Sequence, residues 1–437
     1  MNLLIKSGRV IDPETNLDSR VDILIEKGKI TKIGKIAKIP SGFKIIDADK
    51  KIVFPGLIDL HTHLREPGEE EKETIETGTK AAARGGFTGI VAMPNTRPPV
   101  DSRSVVEFIR NQAERKGLVN VYVIGSITRE RRGETLSEIA DLKKAGVVAL
   151  SDDGSPVLNS ELMRRALEYA RMFNLPIISH AEDLYLSNGG VMHEGFVSTR
   201  LGLAGIPSVA EEIGIARDIM LAEYTGGRLH LAHISTAGSV ELVRRAKKKG
   251  LKVTAETCPH YFSLTDKAVE TFETSSKINP PLRPEKDRQA IIKGLKDGTI
   301  DVIATDHAPH TLAEKELDYD SAPFGIVGLE TALSLAVSKL LKEEKFSPLA
   351  LAAKMSLNPA KILGLDKGRV QVGKVADLTI VDLNKEYTVR VEDFASKGKS
   401  SPFQGWSLQG KVEVTIVGGK VVYSNTEKVN FLQNENT

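Results

Sequence analysis

Apolar positions follow two textures along this chain. Residues 1 to about 52 alternate in short segments, Leu3-Leu4-Ile5 and Val21-Asp22-Ile23-Leu24-Ile25, broken by Gly8, Gly28 and Gly34. Period-two alternation with tight turns predicts antiparallel β-structure. The same texture returns from about 369 onward, in Ala376-Asp377-Leu378-Thr379-Ile380-Val381 and Val412-Glu413-Val414-Thr415-Ile416-Val417. Neither segment alone has enough strands to bury a core. Residues 1–52 and 369–437 are therefore expected to build one small β-sandwich from both chain ends.

Between them, over 53–368, short continuous apolar runs alternate with helical periodicity. Strands are predicted near 52–60, 87–93, 119–126, 147–151, 176–180, 228–232, 252–256 and 301–305. Ser160 to Phe173, Val209 to Glu223 and Gly238 to Lys249 read as helices filling gaps between them. Such a series over roughly 300 residues predicts an α/β fold, a (β/α)8 TIM-type barrel, whose active site lies at the C-terminal strand ends.

Ligand-type residues fall at those ends. Asp59-Leu60-His61-Thr62-His63 follows the first apolar run, and two imidazoles spaced i, i+2 on one face suit a single metal ion. His180 closes Pro176-Ile177-Ile178-Ser179, His233 follows Leu229-His230-Leu231-Ala232, and Asp306 ends Val302-Ile303-Ala304-Thr305. The fourth strand ends in Asp152-Asp153, neighbours that point opposite ways on an extended segment, so only one can join the cluster. Spacing does not choose between them. This set exceeds one tetrahedral site and could hold two cations sharing a ligand. Two cations lower the pKa of a bridging water from about 15.7 to near neutrality, giving a hydroxide nucleophile. Asp306 is placed to take its proton and pass it to a leaving nitrogen.

Other tempting residues read as structural. His230 lies inside its strand, His193 sits in a loop-like stretch, and His260 follows the seventh strand as a packing residue. His307, beside Asp306, is placed either to orient it or to pack. Lys247-Lys248-Lys249 closes a helix, where cations suit the dipole.

Composition narrows the setting. A length of 437 residues accommodates a large domain and a small one. The net charge of +2 gives no reason to expect nucleic acid or a membrane surface as partner. Cys258 is the only cysteine, so no internal disulfide forms and a reducing, cytoplasmic compartment is expected. Met1 to Val10 lacks a signal-like apolar core.

The chain resembles the amidohydrolase superfamily and, within it, the type I dihydroorotases. The motifs that carry the resemblance run through nearly the whole chain: His61-Thr62-His63-Leu64-Arg65-Glu66-Pro67-Gly68, Met93-Pro94-Asn95-Thr96, Ser151-Asp152-Asp153-Gly154, Ser179-His180-Ala181-Glu182-Asp183, Ala232-His233-Ile234-Ser235, Glu256-Thr257-Cys258-Pro259-His260-Tyr261, Lys277-Ile278-Asn279-Pro280-Pro281-Leu282-Arg283 and Ala304-Thr305-Asp306-His307-Ala308-Pro309-His310. The resemblance implies hydrolytic opening of the dihydroorotate ring, or the reverse cyclisation of N-carbamoyl-L-aspartate, in pyrimidine synthesis. It implies Zn2+, one or two ions and two by expectation, with His61, His63 and Asp306 on one and His180 and His233 on the other. Many relatives bridge the metals with a carboxylated lysine. Residues 145–153 contain none here, and the resemblance favours Asp153 as the bridge.

A planar guanidinium binds a carboxylate through two parallel charge-assisted hydrogen bonds, and Arg65, two residues beyond the second ligand, is placed to do so. Its alternative is a salt bridge with Glu66 or another acid. The resemblance adds His63 and Leu64 beside it, Asn95 and His310 around the substrate carboxylate, and Asn279 with the Phe324-Gly325 backbone around the ring. Asn95 has an alternative reading as a turn residue. Two rivals remain. Allantoinases and dihydropyrimidinases or hydantoinases share barrel and ligands but usually carry the lysine and lack Leu-Arg after His-x-His; a non-catalytic scaffold would have lost ligands that are all present here. The expected partner is a small-molecule substrate. A homo-oligomer and association with aspartate carbamoyltransferase are compatible with the resemblance.

Overall fold

The computed structural model describes residues 2–39 and 41–425. Residues 426–437, expected in the second part of the β-sandwich, lie outside the described residues. The run from Ile52 to Leu60, read as one strand, is two: Ile52–Pro55 and Leu57–Thr62. Gly56 divides them, because a Cβ there would come within 2.1 Å of Thr88 Oγ1.

Ile52–Pro55 belongs to a sheet built from both chain ends. It pairs with Arg9–Val10 on one side and antiparallel with Leu378–Val381 on the other, Pro55 opposite Leu378. Leu3–Asp12, Leu17–Glu26, Lys29–Gly34 and Lys44–Asp47 join from the N-terminal side, and Leu378–Thr388, Ser407–Val417 and Lys420–Ser424 from the C-terminal side. The alternating apolar positions face a core of their own, with Leu3, Ile5, Val10, Ile23, Ile25, Val53, Leu378, Ile380 and Ile416 packed together.

Leu57–Thr62 (β1) opens the barrel, followed by Phe87–Ala92 (β2), Asn120–Gly125 (β3), Ala149–Ser151 (β4), Pro176–Ser179 (β5), Arg228–Leu231 (β6), Val253–Thr257 (β7) and Val302–Ile303 (β8). Each is hydrogen-bonded to the next in sequence order. Closure falls just past the ends: Thr62 bridges His307 in parallel, and His63 N–H donates to the His307 carbonyl at 2.8 Å. The strands read as apolar runs because both faces are covered. Leu60, Val91, Ile124, Ala149, Ile178 and Val302 form one apolar cluster with other strand residues, and a larger cluster packs strands against helices.

The helical periodicities form Ser160–Met172, Ser208–Thr225 and Ala237–Lys248. Two carry side-chain N-caps: Asn159 accepts from the Glu161 and Leu162 amides, and Thr236 from the Ser239 amide. A short parallel pair, Met192–His193 with Gly205–Ile206, was not foreseen. Among the described residues no helix is long and apolar enough to cross a membrane.

Candidate active site

Five barrel strands deliver their ends to one point. His61 closes β1 and His63 lies just beyond it; Asp153 follows β4, His180 follows β5, His233 follows β6 and Asp306 follows β8. Asp153 sits among all four imidazoles. Its Oδ1 lies 3.4 Å from His61 Nε2 and 3.5 Å from both His180 Nδ1 and His233 Nε2, while Oδ2 lies 3.5 Å from His63 Nε2. Asp306 Oδ1 lies 3.0 Å from His63 Nε2 and 3.5 Å from His61 Nε2. Two groups, His61–His63–Asp306 and His61–Asp153–His233, each hold their ligand atoms within 4.8 Å of one another.

The donor set fits a metal. His61 Nε2 and Asp153 Oδ1 are buried with no hydrogen-bond partner among the described residues. Buried polar atoms are nearly always satisfied, and inward lone pairs of imidazole and carboxylate are the donors zinc-type cations take. Asp152 turns the other way. It accepts from the Ile127 and Thr128 amides at 2.8 and 3.2 Å and from the Thr128 hydroxyl, holding the loop after β3. Burial pushes its carboxyl up to about 6.

Behind the ligands lies a layer that sequence reasoning missed. Glu256 on β7 is wholly buried; one oxygen meets His61 Nδ1 at 2.8 Å and the other His230 Nε2 at 3.2 Å. Burial works to raise its carboxyl, but the two imidazoles prevail and hold it at about 2. Glu182 similarly meets His180 Nε2 at 3.0 Å and accepts from Asn279 Nδ2 at 3.1 Å. The one available signal was a glutamate inside an apolar barrel strand. His230 is thus part of this layer, its Nδ1 2.8 Å from Thr254 Oγ1. Asp306 is steadied through Thr305, whose amide and hydroxyl donate to Asp59 on β1 at 2.8 and 2.5 Å.

His307 does not touch the Asp306 carboxylate. Its Nδ1 accepts from the Gly328 amide at 3.1 Å and its Nε2 donates to Glu73 at 3.2 Å; its carbonyl helps close the barrel. His260 packs against Tyr261, ring centroids 4.2 Å apart, and burial holds it down at about 3. His193 meets Arg283 and stands outside the ligand cluster.

A cavity of about 240 Å³ opens over the ligands, lined also by Arg65, Asn95, Asn279, His310, Phe324 and Gly325. It is smaller than the roughly 300–1,000 Å³ of drug-sized pockets and suits one small polar ring. Leu64 does not line it. That side chain packs in the apolar core, so close to Gly78 that a Cβ there would meet Leu64 Cδ2 at 2.5 Å. A larger groove of about 680 Å³, beside Glu107, Arg110 and Glu114, lies apart from these groups and gathers no ligand cluster.

Arg65 is buried. Its Nε donates to the Pro309 carbonyl at 3.2 Å, and its nearest acid oxygen, on Glu69, is 3.9 Å away. The Glu66 salt bridge does not form, because Glu66 accepts from the Ile75 amide instead. Asn95 is drawn to His63, with Oδ1 2.8 Å from Nδ1. His310 Nε2 donates to the Phe324 carbonyl at 2.8 Å; burial and the nearby Arg65 charge push its imidazole down to about 3. Arg65, His233 and Asp306 all adopt positive φ, at 61°, 33° and 48°. Left-handed non-glycine residues cost on the order of 1–3 kcal/mol each and gather at sites the surrounding structure over-determines.

Comparison with known proteins agrees with this geometry. A model of the amidohydrolase family matches residues 52–422. A dihydroorotase of Acetivibrio thermocellus is 57% identical over 420 residues, covering 96% of this chain and 98% of that one. A dihydroorotase of Geobacter metallireducens is 56% identical over 423 residues, 97% of this chain and 100% of its own. Among solved structures, an L-hydantoinase (dihydropyrimidinase) from Arthrobacter aurescens superposes with a TM-score of 0.88 at 27% identity, covering 97% of this chain and 96% of that one.

Proposed function

The chain belongs to the amidohydrolase family, and on that premise we infer that it catalyses the dihydroorotase reaction: reversible hydrolysis of (S)-dihydroorotate to N-carbamoyl-L-aspartate. The observation that carries this reading is identity of more than half over nearly the full length of the dihydroorotase relatives, against 27% for the hydantoinase. Arg65 supports it physically. A buried guanidinium whose one acid within ion-pair distance, Glu69 at 3.9 Å, accepts no hydrogen bond from it keeps donors free toward a small cavity, and dihydroorotate brings an anion there where neutral ring amides do not.

His61, His63 and Asp306 would hold one Zn2+ and His180 and His233 a second, with Asp153 shared between them, a role supported by its lying 3.4–3.5 Å from all four imidazoles. When bound, the cations supply an acidified water and polarise the scissile carbonyl. The protein's own part is orientation and proton movement. Arg65 fixes the substrate carboxylate, with Asn95 and His310 beside it and Asn279 with the Phe324-Gly325 backbone around the ring. Asp306 Oδ1 lies 3.0 Å from His63 Nε2 and 3.5 Å from His61 Nε2, and a carboxylate beside a bound cation would stay ionised and ready to take a proton. That oxygen accepts a proton during attack and returns it to the ring nitrogen as the amide C–N bond breaks. Pyrimidine synthesis and a cytoplasmic setting, supported by the single free Cys258, belong to the same proposal.

The test is metal analysis of the purified protein with turnover measured on dihydroorotate, allantoin and dihydrouracil. Dihydroorotate alone should be turned over well. Preference for either neutral ring would overturn the assignment.

A further inference from the structure

Two buried lysines near the cavity lack any carboxylate within ion-pair distance among the described residues. Lys277 is 2% exposed and Lys315 is 7% exposed. A buried ammonium without an acid is costly unless hydrogen bonds replace its water. Both spend their donors on main-chain carbonyls of a single short segment. Lys277 Nζ donates to the Tyr319 and Asp320 carbonyls at 2.6 and 3.0 Å. Lys315 Nζ donates to the Pro323 and Gly325 carbonyls at 2.9 and 3.0 Å. The carbonyl left between them, on Phe324, accepts from His310. Lys277 also lies over the Phe324 ring, 4.9 Å from its centroid, and its own carbonyl accepts from the Gly325 amide at 2.9 Å.

The segment so held, Tyr319 to Gly325, supplies one wall of the cavity through Phe324 and Gly325. It has no helix or strand of its own to fix it. Gly325 has φ of +134°, and a Cβ there would fall 2.7 Å from the Ala308 carbonyl, so the wall must follow one narrow path past the barrel rim.

We propose that Lys277 and Lys315 are positioning residues which hold the Tyr319–Gly325 main chain against the substrate ring, and so set how tightly this site binds its substrate. The inference rests on the dihydroorotase reading for its kinetic arm only. The metal ligands and Asp306 sit on strand ends that neither lysine touches, so the chemical step itself does not depend on them. Burial, with the neighbouring Lys277 charge, also depresses the Lys315 ammonium to about 7.

The experiment uses metal-loaded Lys277→Met and Lys315→Met, with Lys277→Gln and Lys315→Gln in case a methionine variant fails to fold. Losing two charge-assisted hydrogen bonds should raise KM for dihydroorotate by roughly tenfold or more while kcat stays within about threefold. Hydrogen exchange should accelerate in 319–325, with metal content unchanged. An unchanged KM, a fall in kcat with metal loss, or unaltered exchange in that segment would each overturn the proposal. If the wild-type protein does not turn over dihydroorotate, the functional reading falls, and the exchange measurement alone judges the wall.

Discussion

Replacing Glu256 tests whether the layer behind the ligands sets metal affinity. Its two oxygens are spoken for, by His61 Nδ1 at 2.8 Å and His230 Nε2 at 3.2 Å. That arrangement puts the His61 proton on Nδ1 and leaves the Nε2 lone pair facing Asp153 and Asp306. Glu256→Leu keeps the volume but strands both N–H groups, and His61 can then shift its proton to Nε2, the atom needed for a cation. Loss of such outer partners typically weakens metal binding about 10- to 100-fold, and the leucine variant should lie near the upper figure. Glu256→Gln should be milder. Its carbonyl can still accept from His61 while its NH2 faces His230, which can exchange tautomers because the Thr254 hydroxyl, 2.8 Å from Nδ1, accepts as readily as it donates. About tenfold is expected there, the lower figure, because the charge is gone but the tautomer is kept. Chelator competition on the metal-free protein measures both, with circular dichroism as the check on folding. Zinc binding by folded Glu256→Leu as tight as wild type, or tighter than by Glu256→Gln, would refute the reasoning.

Three further outcomes follow from the site and its surroundings. Asp306→Asn keeps the shape but loses the proton acceptor, so turnover should fall by at least about 10²-fold; full activity would reassign the base. Arg65→Met should lower kcat/KM for dihydroorotate by roughly 30- to 5000-fold, and Arg65→Lys should not restore it fully because an ammonium lacks the planar fork; an equal loss on an analogue without the carboxylate would make Arg65 structural. His193 is held at about 4 by burial and by Arg283, below its ordinary 6.5. It is neutral when folded and takes a proton when unfolded, so its contribution to stability is lost as pH falls from about 6.5 toward 4. Denaturant unfolding at pH 7 and pH 4.5 should therefore show wild type losing more stability than His193→Gln; equal losses would contradict the sign.

The barrel was legible because most of its strands are largely apolar, buried runs, and the candidate ligands because they follow those runs directly. Ile52 to Leu60 misled for the same reason. Two consecutive buried strands in different sheets read as one, and only the Gly56–Thr88 approach separates them. Asp152 and Asp153 could not be told apart by spacing, since their difference is which loop amides meet Asp152. Leu64 entered the expected substrate contacts through its neighbours in a motif, while its side chain answers to the core. Glu256 and Glu182 escaped because a carboxylate that orients a ligand has no spacing rule in sequence; it is set by which strands become neighbours.

The sheet shared by the two chain ends also bears on how this protein is made. Asp12 and Val370, which meet through a hydrogen bond, are 358 residues apart. At synthesis rates of about 5–20 residues per second, roughly 20–70 s separate their emergence from the ribosome. Through that interval Leu3, Ile5, Val10, Ile23 and Ile25 lack the C-terminal strands that complete their core. Ile52–Pro55 meanwhile shows an unpaired edge, the kind of surface that recruits other chains. The barrel, assembled from strands paired in sequence order, can form while that edge waits. Any aggregation during expression is therefore expected to start from the first fifty or so residues, and a strand supplied in trans to cover Ile52–Pro55 should reduce it.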